Sequence, residues 1–95
     1  YRLVVYRSLK HFEAQVINDF EHRTIISVSS RDKKLKAAIK KAGNKIDISR
    51  IVGEAIAKKA KAEKIGPVVL DRNGYPYHGR VQAFAEAARL GGMEF

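Results

Sequence analysis

The stretch Gly66-Pro67-Val68-Val69-Leu70 decides the fold that we expect from this sequence. Gly66-Pro67 ends a long helical pattern, because proline cannot continue a helix. Val68-Val69-Leu70 is a short, fully apolar run, which is typical of a strand buried on both faces. A helix followed by such a strand indicates a right-handed crossover to a parallel neighbour. We therefore expect a sheet that contains a parallel strand pair.

The residues before the helices alternate with a period of two, as strands do. Three segments show this pattern, at residues 2–7, 12–18 and 23–29. The positions that we expect to share one face are Ala14 and Val16 in the second segment and Thr24, Ile26 and Val28 in the third. Strands this close together in the chain predict an antiparallel meander.

Three later segments carry helical spacing instead. The first is predicted over residues 31–42, with Ser30 as its cap and Gly43-Asn44 at its end. The second, capped by Asp47 or Ser49, is predicted from its apolar residues Ile48, Ile51, Val52, Ala55, Ile56 and Ala60. The third is predicted from Val81, Phe84, Ala85 and Ala88, and it ends at Gly91-Gly92.

The predicted order of elements is therefore β-β-β-α-α-β-α. It favours an α/β fold, in which an antiparallel three-strand meander and a parallel fourth strand form a mixed sheet covered by helices. A chain of 95 residues is expected to form one domain, residues 1–95, without repeats or linkers.

The charge of the chain points to a polyanionic partner. Lys and Arg number 19 against 10 Asp and Glu, which gives a formal net charge of +9. Residues 31–45 hold most of the excess, with seven bases, one acid and a net charge of +6. Nucleic acid is the commonest polyanion that basic domains bind. The alternative interpretation of this segment is a solvated lysine-rich helix.

Two polar loops carry the candidate binding residues. The first is Arg7-Ser8-Leu9-Lys10-His11, and the second is Asp71-Arg72-Asn73-Gly74-Tyr75-Pro76-Tyr77-His78-Gly79-Arg80. Arg and Lys neutralise phosphates, whereas Tyr and His rings stack on unpaired bases, so the combination indicates RNA. Structural alternatives remain: Tyr77 packs inward, His78 only begins the last helix, and Asp71 caps a loop or pairs with Arg72 or Arg80.

The sequence shows no pattern of catalytic residues. A meander followed by a parallel strand is also the layout of ribonuclease H-like nucleases, which hold two metal ions with carboxylates, one of them on the first strand. The first strand here carries no carboxylate, the three His residues lack metal spacing, and there is no cysteine. We expect no enzymatic activity, no metal and no cofactor.

The hairpin and the second loop resemble a known family. Residues 2–17, Arg-Leu-Val-Val-Tyr-Arg-Ser-Leu-Lys-His-Phe-Glu-Ala-Gln-Val-Ile, are similar to the first hairpin of the bacterial-type ribosomal large-subunit protein number eighteen family, which binds 5S rRNA. The loop containing Tyr75-Pro76-Tyr77-His78-Gly79-Arg80 is similar to the family's signature, and so are residues 87–95. The resemblance covers essentially the whole chain.

The resemblance implies a structural constituent of the large ribosomal subunit in the cytoplasm, with an organellar ribosome as an alternative. It implies that the chain binds 5S rRNA and helps attach it to the large-subunit rRNA in the central protuberance, beside neighbouring 5S-binding ribosomal proteins. RNA contact is implied for Arg7, Ser8, Lys10, His11, Arg72, Tyr75, Tyr77, His78 and Arg80. The basic segment adds Arg31, Lys33 and Lys34 as candidates.

The sequence also departs from the family pattern. Tyr1 stands where a proline is usual, and the basic arm expected before it is not present in this sequence. Leu9 replaces a common Asn, and Asn73 replaces a usual Gly, although Asn tolerates a left-handed backbone. Two other hypotheses remain, a small-subunit platform protein and a membrane-surface role. The membrane-surface hypothesis is weakened because residues 31–45 contain no Trp or Phe that could insert into a membrane.

Overall fold

The elements follow the predicted order in the computed structural model, which describes residues 1–7, 11–75, 77 and 79–95, without the side chain of Lys34. The strands are β1 (Arg2–Arg7), β2 (Phe12–Asn18), β3 (Arg23–Ser29) and β4 (Val69–Asp71). The helices are α1 (Lys36–Lys41), which a 3₁₀ turn over Lys33–Leu35 precedes, α2 (Lys45–Ala62) and α3 (Arg80–Leu90). Of these helices, none is both long enough and apolar enough to cross a membrane.

The four strands form one mixed sheet in the order β3-β2-β1-β4. β1 pairs antiparallel with β2, and β2 pairs antiparallel with β3, which confirms the predicted meander. β4 pairs parallel with β1, with Leu3 opposite Leu70. The parallel pair predicted from the crossover is therefore confirmed.

The burial predicted for the fourth strand is wrong. Because β4 lies at the edge of the sheet, it has a single neighbouring strand, and the side chain of Val69 is 71% exposed. Val68, immediately before the strand, is buried and donates its backbone N–H to the carbonyl of Glu94. The apolar run therefore marks an edge strand, and the residue just before that strand is bonded to the C-terminal segment.

The face predicted for the third strand is wrong at one residue. Val16 pairs with Ile26, but the next residue, Ile17, pairs with Thr24, so Ile25 is an extra residue in β3. Such a bulge reverses the side-chain alternation beyond it. Thr24 is consequently exposed, whereas Ile26 and Val28 are buried as predicted.

The predicted boundaries of the first helix are also corrected. Ser30 does not cap it: the Ser30 hydroxyl accepts a hydrogen bond from the Phe12 backbone N–H at 3.0 Å, across the sheet. The helix proper begins only at Lys36, after the 3₁₀ turn. Asp32, just before that turn, accepts instead from the backbone N–H of Ser29.

The second helix begins earlier and ends earlier than its pattern suggested. Asn44 is the cap, because its side-chain oxygen accepts from the N–H of Asp47 at 2.9 Å. The helix ends at Ala62, before Gly66-Pro67. Lys64 adopts a positive φ of 55°, and the N–H of Ile65 bonds to the carbonyl of Ala60, which is the pattern of a Schellman motif.

One face of the sheet and the helices α2 and α3 enclose the core. Leu3, Val5 and Phe12 project from the sheet into this core, and Phe84 of α3 meets Phe12 with ring centroids 5.2 Å apart. The two helices approach so closely that a Cβ added at Gly53 would lie 2.5 Å from the carbonyl oxygen of Phe84. The close approach of α2 to α3 therefore requires glycine at this position.

We expect Gly53→Ala to lower the free energy of unfolding by about 1–3 kcal/mol, because the new methyl group overpacks the helix interface and outweighs the better helix propensity of Ala. Urea unfolding measures the loss. Gly43→Ala is the matched control, since a Cβ there would meet no described atom within 4 Å. Equal unfolding free energies for the two variants would contradict this packing.

Candidate nucleic-acid interface

The parallel pairing of β1 with β4 brings the two sequence-predicted loops to the same end of the sheet. β1 ends at Arg7 and β4 ends at Asp71, and the carboxyl ends of parallel strands face the same edge. We call this end, with Arg7, His11, Ser29 and the segment after Asp71, the loop end. Ser8, Lys10 and His78, which we predicted to bind RNA, lie outside the described residues.

Tyr75 joins the second loop to the first. Its hydroxyl accepts from the backbone N–H of Arg7 at 3.3 Å and donates to the carbonyl of Arg7 at 3.2 Å. The guanidinium of Arg7 lies over the Tyr75 ring, 4.8 Å from its centre. The ring is partly buried and packs against the core, so Tyr75, not Tyr77, is the tyrosine that turns inward.

Arg80, the first residue of α3, makes a second connection. Its Nη2 donates to the carbonyl of His11 at 2.9 Å, and its guanidinium lies 5.4 Å from the centre of the Phe12 ring. Burial and then the nearby charge of Arg7 lower the pKa of Arg80. Because arginine is always charged in proteins, this guanidinium remains a cation despite its lowered pKa, and with Arg7 it concentrates positive charge where the loops meet.

His11 connects this cluster to the start of the basic segment. Its Nδ1 lies 3.2 Å from the hydroxyl of Ser30, which is itself held by the Phe12 N–H. A shallow cleft opens beside it, lined by Tyr6, Arg7, His11, Phe12, Glu13, Ser29 and Arg31. Arg7 and His11, predicted from the first loop, and Arg31, predicted from the basic segment, thus line one cleft.

The remaining candidates surround this cluster less closely. Lys33 is exposed and lines a groove that begins at Arg31. Arg72 is exposed on the other side of Tyr75, beside β4. Tyr77 is 37% exposed, and its hydroxyl accepts from Arg89 at 3.3 Å. The side chain of Lys34 is not described.

Asp71 caps the second loop, which is one of the two roles predicted for it. Its carboxylate forms an ion pair with Arg2 at 3.0 Å instead of with Arg72 or Arg80. The same carboxylate accepts from the N–H of Asn73 at 2.8 Å. Asn73 and Gly74 have φ angles of 53° and 81°, so Asn does occupy the left-handed region, as the sequence suggested. Among the described residues, no group of three His, Asp or Glu side chains could hold a metal ion.

Two supporting residues were missed by the sequence analysis. Phe12 provides the ring against which the Arg80 guanidinium lies, and Ser30 holds both His11 and the Phe12 backbone. Nothing local in the sequence distinguishes Ser30 from a helix cap, because its role depends on a contact across the sheet.

We expect Tyr75→Phe to lower the free energy of unfolding by about 1 kcal/mol, since it removes the hydroxyl that satisfies both backbone groups of Arg7. Chemical denaturation measures this. Tyr77→Phe is the control: it deletes an equivalent hydroxyl whose bond to Arg89 is exposed, and its stability should stay within about 0.5 kcal/mol of the parent. A loss of the same size in both variants would show that Tyr75 does not connect the loops.

Comparison with known proteins finds similar sequences over nearly the whole chain. The family model described as ribosomal L18 of archaea, bacteria, mitochondria and chloroplasts matches residues 1–95. The large ribosomal subunit protein uL18 of Chloroherpeton thalassium is 53% identical over 94 residues, which cover 99% of this chain and 77% of that protein. The corresponding protein of Staphylococcus haemolyticus is 52% identical, covering 99% and 76%. That of Prochlorococcus marinus is 49% identical, covering 99% and 77%.

Proposed function

Because this chain belongs to the ribosomal L18 family, we propose that it binds 5S rRNA and helps attach it to the large-subunit rRNA. Members of this family are structural constituents of the large ribosomal subunit and not enzymes, and the chain shares that role. Ribosomal RNA is therefore its partner.

The observation that supports this proposal most strongly is the union of two basic loops at the loop end. Tyr75 and Arg80 each reach across to the first loop, at Arg7 and at His11. These contacts hold Tyr75 and Arg80 against Arg7 and His11 before any RNA binds, and a preorganised surface loses less entropy when it binds. Such a surface can distinguish one folded RNA from another by shape.

The candidate residues divide into two roles within this proposal. Tyr75 and Arg80 are positioning residues, because their polar groups already bond to the first loop. Phosphate contact is assigned to the exposed side chains of Arg31, Lys33 and Arg72, and to the half-buried side chains of Arg7 and His11 that line the cleft. Tyr77 offers a ring to an unpaired base. RNA contact is also proposed for Ser8, Lys10 and His78 from the family pattern, and for Lys34 from the charge of its segment.

The wider setting follows from the family. We propose that the domain, residues 1–95, lies in the central protuberance of a cytoplasmic large ribosomal subunit, beside other 5S-binding ribosomal proteins. The curated relatives named above are bacterial, whereas the family description also includes organellar members. The basic arm that usually precedes Tyr1 would add to the same RNA contact where it is present.

Binding of labelled 5S rRNA, compared with a tRNA of similar size across a series of salt concentrations, tests the proposal. Loop-specific recognition should keep a preference for 5S rRNA at high salt, because shape and stacking contacts depend little on counterion release. Equal binding of both RNAs, lost together as salt rises, would refute 5S recognition.

We expect Arg31→Ala to weaken 5S rRNA binding by about 1 kcal/mol, roughly fivefold, through loss of a phosphate contact at the loop-end cleft. Arg50→Ala is the matched control. Arg50 is also exposed, on α2, and its guanidinium pairs with Asp47. Equal losses in the two variants, measured by titration at one salt concentration, would remove Arg31 from the binding surface.

A further inference from the structure

A groove on the basic segment continues from the loop-end cleft. It is lined by Ser30, Arg31, Lys33, Lys36, Ile39 and Lys40. Arg31 belongs to both depressions, so the groove and the cleft are contiguous. Ile39 contributes a half-buried apolar side chain between the cations. The groove therefore combines an apolar floor with a row of positive charges.

The spacing of the lysines places them on one side of the segment. Lys33, Lys36 and Lys40 are three and four residues apart, which brings their side chains onto neighbouring turns of one face. Like charges at these intervals repel one another. The only acid between residues 31 and 45, Asp32, accepts from the Ser29 N–H. Of the ion pairs among the described residues, none involves these three lysines.

Packing within the domain does not explain this row of lysines either. None of the described side chains of α1 is buried, so the helix contributes little to the core. An amphipathic surface helix would normally interleave acids with its lysines, because such pairs stabilise the helix and keep it soluble. When lysines repel one another on the exposed face of a helix, a polyanion that lies against that face stabilises the helix.

We propose that Lys36 and Lys40 bind the phosphodiester backbone of the same RNA, along a track that continues from Arg31 and Lys33. This inference rests on the function proposed above and extends its surface by two residues. Lysine is a flexible point charge and reads no base pattern. The track therefore adds affinity and salt dependence, while the joined loops supply the preference for one RNA.

The double variant Lys36→Ala/Lys40→Ala tests the track by its effect on the salt dependence of 5S rRNA binding. Each phosphate contact contributes about 0.7–0.9 to the slope of log affinity against log salt, so the slope should become shallower by about 1.4–1.8. The ratio of 5S rRNA to tRNA affinity should stay unchanged. Because alanine also raises the helix propensity of α1, the variant Lys36→Gln/Lys40→Gln repeats the test with longer, uncharged polar side chains.

Lys58→Ala/Lys61→Ala is the matched control. It removes the same formal charge from exposed helical positions near the end of α2, away from the loop end. A slope like that of the parent in this control, with the shallower slope in the Lys36/Lys40 variants, supports the track. The same change in both pairs, or no change in either, overturns it. Failure of the proposed function would appear as equal affinities of the parent protein for 5S rRNA and tRNA. The comparison of salt slopes does not depend on that preference, so the two failures can be distinguished.

Discussion

The parallel pairing of β1 with β4 is the constraint on which the candidate surface depends. With Leu3 opposite Leu70, both strands end on the same side of the sheet, and the chain after Asp71 runs on towards Arg7. Tyr75 then reaches the backbone of Arg7 without distortion of either strand. An antiparallel fourth strand would carry the second loop to the other end of the sheet, and the two loops could not meet.

Positive charge at the loop end is held in place by contacts that also stabilise the fold. Arg80 donates to the carbonyl of His11 and lies against Phe12, whose ring meets Phe84 of α3 in the core. The lowered pKa of Arg80 reflects the burial of this guanidinium and the nearness of Arg7. In the proposed interface, the group that adds charge to the surface therefore also fixes the start of α3 against the hairpin.

The sequence predicted the order of the elements and the parallel pair because period and length are local signals. It failed where a residue's role depends on a distant partner. Val69 looked buried, but its exposure follows from the edge position of β4. Ser30 looked like a helix cap, but its hydroxyl bonds across the sheet to Phe12. The candidate site followed from charge and family pattern, whereas the division between Tyr75, which turns inward, and Tyr77, which stays open, required the fold.

The central claim is that one surface, at the loop end, meets the RNA. Amide hydrogen exchange of the protein, free and bound to 5S rRNA, tests it most directly because it reports protection segment by segment. We expect the strongest slowing at Arg7, His11 and residues 71–77, followed by residues 31–40, with residues 58–64 unchanged. Protection concentrated at residues 58–64 and at the end of α3, with the loop end unaffected, would contradict the account.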